Sequence, residues 1–224
     1  MSKNNSVKHF LLFLFLIPLL SFCQKSNEID DNGLKQGLWQ KKYENGNLRY
    51  TGQFIDNNPF GIFQYYYSTG ELQVEKEYFH NGSAAATYIF YKNGALKASG
   101  LYVKTLKDST WNYYNNDSLL CMSEEYHKGK LNGKSKTYYY TGELYEIKTW
   151  KEGIEDGEWI QYFLDGAVKI TSLYVNGVRE GKEVSYYPGQ HIYYQGYYYN
   201  GQKSGAWEYF TKEGVIDTII NYNE

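Results

Sequence analysis

Aromatic and aliphatic residues recur along this chain at even spacings, the period of a strand whose alternate side chains share one face. Leu48, Tyr50 and Phe54 alternate with polar residues in one stretch, and Val168, Ile170 and Tyr174 do so in another. Between such runs stand Asn45-Gly46, Asn93-Gly94 and Asp165-Gly166. Their glycines tolerate the positive φ that primed hairpin turns need. After the first two dozen residues no segment shows the 3.6-residue period of an amphipathic helix. The predicted elements are strands, joined as hairpins.

The hairpins fall on a grid. Gly37, Gly61, Gly133, Gly157, Gly181 and Gly205 share one 24-residue period, and Ala85 and Ser109 occupy its two remaining points. Two residues after each anchor come Trp39, Phe63, Trp111, Trp159 and Trp207, and five after it come Tyr66, Phe90, Tyr114, Tyr138, Tyr162, Tyr186 and Phe210. A glycine column at Gly46, Gly70, Gly94, Gly142, Gly166 and Gly214 marks the turn inside each unit. Asn176-Gly177 and Asn200-Gly201 mark turns between units, and Asn32-Gly33 holds the equivalent place before the first. The expected fold is all-β, an elongated antiparallel meander of about eight 24-residue hairpin units in a single twisted sheet. Sixteen strands spaced by about 4.8 Å would extend about 75 Å.

Composition then explains how such a sheet survives without a helical layer. Tyrosine occurs 27 times and aromatics make up 19% of the chain, too many for a disordered segment. A tyrosine ring can bury its faces against neighbouring rings while its hydroxyl stays wet. The formal charge of −2 carries no basic stripe, which excludes a nucleic-acid partner on sequence grounds.

The first residues read as a leader. Lys3 and Lys8 precede an apolar run from Phe10 to Leu20, 11 residues long. As a helix it would reach about 16 Å, against the roughly 30 Å of a bilayer core, so it suits a signal peptide and not a span. Ser21-Phe22-Cys23 places small residues at the −3 and −1 positions of a cut before Gln24. The rival reading makes Cys23 an acylated lipid anchor, since Leu20 to Cys23 resembles a bacterial lipobox apart from Phe22. The domain expectation is a signal peptide at 1–23, a short linker or cap at 24–36 and the repeat array at 37–224. No transmembrane span is expected in the mature chain.

The repeat G-x-W-x-x-Y-Y-x-x-G-x-L-x5-Y-x2-G, over about residues 33 to 224, resembles the MORN-repeat variant, the membrane occupation and recognition nexus family. It is most similar to bacterial repeat proteins described as antitoxin-like. The resemblance implies stacked β-hairpins in a twisted, sometimes grooved sheet, used for interaction or scaffolding, with some members linked to lipid. Units three and four depart from the pattern. Ala85 and Ser109 replace the anchor glycine, Ser118 replaces the hairpin glycine and Thr105 the linking one. A local kink or bulge is expected near residues 80 to 120. In unit seven Pro188-Gly189 arrives one residue early, which predicts a shortened turn.

No catalytic, metal-binding or cofactor-binding constellation is expected. His80, His127 and His191 stand outside any H-E-x-x-H, C-x-x-C or G-x-S-x-G setting, and His9 lies in the leader. Cys121 reads as a free thiol at an exposed or rim position, or as half of an intermolecular disulfide. Tyr66, Tyr114, Tyr138, Tyr162 and Tyr186 are the candidate partner-binding surface, because the fifth column points away from the second. Ile216, Ile219 and Ile220 form a weakly charged terminal strand suited to edge-to-edge self-association. The function expected is that of an exported, non-enzymatic scaffold for a protein or surface polymer, in the periplasm, on the outer membrane or outside the cell. The alternatives are a carbohydrate- or lipid-headgroup-binding module using ring stacking, and an antitoxin-like protein.

Overall fold

The computed structural model describes residues 25–222; the leader, its cleavage site and Cys23 lie outside them. Seventeen strands form one open sheet, and successive strands pair antiparallel from β1 to the last. The described residues contain no helix. The chain is thus the all-β meander of hairpin units that its periodicity predicts. Its first strands are β1 (Glu28–Ile29), β2 (Lys35–Lys42), β3 (Leu48–Ile55), β4 (Asn58–Tyr66), β5 (Leu72–Phe79) and β6 (Ala84–Phe90), and the series runs on to β17 (Ile216–Tyr222). The two-residue β1 adds to the sixteen strands of the grid and pairs with Lys35 and Gln36.

Two turn types alternate, and they correct the expectation for Asn-Gly. Inside a unit the loop has three residues: the Tyr43 amide donates to the Asn47 carbonyl, and the Gly46 amide donates back to the Tyr43 carbonyl. Gly46 alone takes a positive φ there, so this is a type I turn closed by a glycine bulge and not a primed turn. Between units the loop has two residues, both left-handed, as at Asp56-Asn57 and Asn176-Gly177. That is the primed geometry, displaced to the linking turns. Unit seven keeps the standard turn length: Tyr186 pairs with Ile192 as Tyr66 pairs with Leu72. Gln190 takes the left-handed place of the glycine, with φ 73°.

Each anchor residue serves a bulge. The anchors Gly37, Gly61, Ser109, Gly133, Gly157, Gly181 and Gly205 all have positive φ, and the pairing across most unit junctions shifts beside them. Ala85 is the exception. A Cβ makes the left-handed conformation costly, Ala85 does not adopt it, and β5 pairs with β6 without a shift. The two residues thereby freed lengthen the linking loop to four, His80–Ser83. The irregularity foreseen near 80 to 120 is therefore a lost bulge and a longer loop at 80–85. Ser109 keeps the bulge at φ 58°.

Bulges bend a strand and raise its twist, and here they recur at nearly every unit. One face carries the anchors, the second-column rings and the seventeenth-column rings. Trp207, Trp111 and Phe63 on that face are 0%, 1% and 3% exposed. A single layer hides an indole only where neighbouring side chains close over it. Trp207 has Tyr198 at 5.2 Å, Tyr194 at 5.6 Å and Tyr222 at 6.2 Å, ring centre to ring centre. Full burial of such a ring stabilises by about 1.5–3 kcal/mol. This ring-filled face is the core.

Candidate binding surface

The core face is cationic as well as aromatic. Lys107 stands 4.8 Å from the Trp111 ring centre and 4.7 Å from that of Tyr126. Lys203 stands 3.9 Å from the Trp207 ring. Arg179 lies over Trp159, Tyr174 and Tyr198 at 5.1 to 5.8 Å. All three cations occupy one column, two residues before the anchor, so strand alternation delivers them onto the rings. Such contacts contribute about 0.5–2 kcal/mol each.

Burial and hydrogen bonding set the titration of these groups. Burial pushes the Tyr113 phenol far above the usual range, and contacts with Tyr126 and Glu124 push it further. Burial pulls the Lys107 ammonium down, partly offset by the charge of Glu124. For Arg179 burial again acts downward, but hydrogen bonds to the Tyr174 and Tyr198 hydroxyls and the charge of Glu183 outweigh it. Glu183 takes the second-column place that tryptophan holds in units one, four, six and eight, and is 2% exposed. Its Oε1 accepts from the Tyr194 hydroxyl at 3.0 Å, and its Oε2 lies 3.4 Å from Arg179 Nη1. Arg179 therefore both neutralises a buried carboxylate and caps three rings.

The fifth-column tyrosines Tyr66, Tyr114, Tyr138, Tyr162 and Tyr186 are half-buried beside the turns inside the units. Tyr66 shares the opposite face with Gln64, whose Oε1 accepts its hydroxyl at 2.9 Å. More exposed rings lie elsewhere. Tyr197 and Tyr199 flank a recess shared with Glu180 and Ser204, and Phe60 is exposed just before the anchor of unit two.

Two ladders escaped sequence reading. In the first, the sixth-column hydroxyls of Tyr43, Tyr67, Tyr91, Tyr139 and Tyr187 donate to the fifth-column carbonyls of the next unit, at 2.7 to 3.0 Å. In the second, the side chain just before an anchor accepts an amide of the linking turn 20 residues on. Gln36, Asp108, Asn132, Asp156 and Glu180 all do so. The sixth column was visible as recurrent tyrosine, but its carbonyl partner belongs to the following unit.

Cys121 is half-buried, and its column is the unpaired bulge position opposite the Tyr113–Tyr114 step. His80 lies in a linking loop, His127 is 3.6 Å from Asp108, and His191 lies in the turn of unit seven. Among the described residues no three metal-ligating side chains group together, and no helix is long and apolar enough to cross a membrane. Ile216, Ile219 and Ile220 are exposed on β17.

The family model for the MORN repeat variant matches four stretches, residues 35–56, 61–83, 131–152 and 155–176. These correspond to units one, two, five and six; of the unmatched units three, four, seven and eight, the first two depart from the anchor pattern. No curated protein matches the chain. Among solved structures, a chain of the crystal structure of the GtfA/B complex bound to UDP and GlcNAc aligns at 13% identity with a TM-score of 0.19. The alignment covers 62% of this chain and 26% of that one, so this chain spans about a quarter of that structure's length.

Proposed function

We propose that this array of MORN-variant repeats is a non-enzymatic binding scaffold, exported by its leader and working in the cell envelope. The observation that carries the binding reading is the single-layer sheet. One face is filled by rings and cations, and the other presents side chains such as Tyr88, Tyr197 and Ile219 to solvent. A sheet with no second layer offers an extended surface on which a protein or surface polymer can lie. The leader at 1–23 and its Ser21-Phe22-Cys23 site support export, with cleavage before Gln24 or acylation of Cys23 as the two processing routes.

The test is co-purification from envelope fractions of cells making the tagged full chain, with mass spectrometry of its N-terminus. A stoichiometric partner on a chain processed at residue 23 or 24 supports the reading. A cytoplasmic, unprocessed chain, or turnover of a small molecule by the purified protein, contradicts it.

The recess formed by Tyr197, Tyr199, Glu180 and Ser204 favours a second reading, recognition of carbohydrate by ring stacking. Two exposed phenol rings beside a carboxylate and a hydroxyl suit a ligand with an apolar face and a polar edge.

A further inference from the structure

Unit two departs from the repeat in four ways at its linking-turn end, two just before its own anchor and two at its junction with unit three, and the departures meet in space. Phe60 stands in the column where other units place the side-chain acceptor for the linking turn, so that ladder is interrupted there. Ala85 has lost the bulge, and the linking loop His80–Ser83 has four residues in place of two. Pro59 stands in the column from which Lys107, Arg179 and Lys203 cap neighbouring rings. Gly82 packs against it so closely that a Cβ would fall 2.6 Å from Pro59 Cδ. The longer loop thus folds back onto the proline and walls a cavity of about 470 Å³.

That volume lies within the range of small-molecule sites. Ile55, Phe60 and Phe79 supply its apolar wall, and Phe60 is 54% exposed. Asp56, Asn58 and Asn81 supply polar groups at its rim. Asp56 is held in place, since its Oδ1 accepts from Gln36 Nε2 at 2.6 Å and its carbonyl from Asn58 Nδ2 at 3.2 Å. Tyr78 and the His80 imidazole complete the lining, and no lysine or arginine belongs to it, so it offers no permanent cation to an anionic ligand. Exposed phenyl rings beside carboxamides and one carboxylate match a molecule with an apolar C–H face and an edge of hydroxyls that both donate and accept. Where every other level of a repeat agrees, a local break that opens a cavity marks a functional position.

We infer that this cavity binds a neutral sugar ring, stacked on Phe60 and Phe79 and hydrogen-bonded by Asp56, Asn58 and Asn81. The inference rests on the reading of the chain as a binding protein and locates one contact of it at the repeat break.

The test is a nuclear magnetic resonance titration of the full chain with maltotriose, cellotriose and chitotriose at millimolar concentration, repeated on Phe60→Asp. The variant places in that column the residue type that Asp108 supplies two units on, and thermal unfolding beside the parent checks that it folds. Saturable shifts of the Phe60 and Phe79 ring signals with at least one trisaccharide, weakened roughly tenfold or more by Phe60→Asp, are expected. No saturable shift with any of the three, binding unchanged in the variant, or shifts caused only by a blocked phenylalanyl dipeptide would overturn the inference. Partner co-purification with Phe60→Asp separates the two claims: a retained partner with no sugar binding sinks the sugar site and leaves the scaffold standing.

Discussion

Gly196 lies directly beneath Trp207: a Cβ added to the glycine would stand 2.3 Å from the indole Cδ2. Gly100 lies beneath Trp111 at the same 2.3 Å, and Gly52 beneath Phe63, also at 2.3 Å. Each glycine belongs to the unit before its ring, eleven residues earlier. The rings reach full burial because the strand below them has no side chain. Gly196→Ala forces the indole off its seat and costs about 1–3 kcal/mol, the range of overpacking. Urea unfolding measures it, and Trp207→Ser in the Gly196→Ala background should cost less than the two changes summed.

The anchor glycines are conformational, not steric. Gly61 has φ 65° and no atom within 4 Å of an added Cβ. Gly61→Ala therefore isolates the left-handed penalty, about 1–2 kcal/mol. Ser109 adopts the same conformation with a side chain, so Ser109→Gly raises the unfolding midpoint by a change of opposite sign. Thermal unfolding of the two variants beside the parent checks both.

The tyrosine ladder has a gap that a single hydroxyl fills. Phe163 occupies the sixth column of its unit, and the carbonyl in register is that of Tyr186. Phe163→Tyr supplies the missing donor and stabilises by about 0.5–1.5 kcal/mol, the ordinary net value of one hydrogen bond. Tyr139→Phe removes the 2.8 Å bond to Tyr162 and loses a similar amount. Asn115 needs no such repair, because its Oδ1 already accepts the amides of Asp117 and Leu119 in its own turn. Differential scanning calorimetry of the two variants reads the opposed shifts.

Stability falls in alkali. Burial raises the phenols of Tyr65, Tyr113 and Tyr194 well above the usual value of 10.0. Above that pH the unfolded chain releases these protons while the folded chain keeps them, so unfolding is favoured increasingly as pH rises. Lys76 and Lys107, whose ammonium groups burial pulls down, act in the opposite sense below the ordinary lysine range, where the folded chain releases protons first. The urea midpoint should therefore hold up to about pH 10 and then drop, with a fraction of the phenols ionising only as the protein unfolds. Phenolate absorbance followed alongside unfolding tests this.

The grid was legible because two strong local rules coincide on it, left-handed glycine and strand alternation. The turn types were not, since the same dipeptide stands in both: Asn45-Gly46 closes a three-residue loop and Asn176-Gly177 a primed two-residue turn. Strand register decides between them, and register is not a property of four residues. Gly52, Gly100 and Gly196 share a column with Lys76, Glu124 and Ser172, which within one unit reads as noise. Set against the second column of the next unit it becomes complementary in size, with glycine under Phe63, Trp111 and Trp207 and larger residues beside Thr87, Ser135 and Glu183; Trp159, which faces Lys148, is the exception. Phe60 was passed over for a similar reason, because its column carries a hydrogen-bonding role visible only when the turn 20 residues later is in place.

The arrangement stands on units pairing in one 24-residue register, with each buried ring seated on the strand before it. Nuclear Overhauser contacts between the Trp207 indole and the Gly196 α-protons test this most directly. Strong contacts, with those α-protons shifted upfield by the ring and the same signature at Gly100 with Trp111, are the predicted result. Indole signals with no contact to Gly196, or in contact with residues elsewhere on the grid, would contradict it.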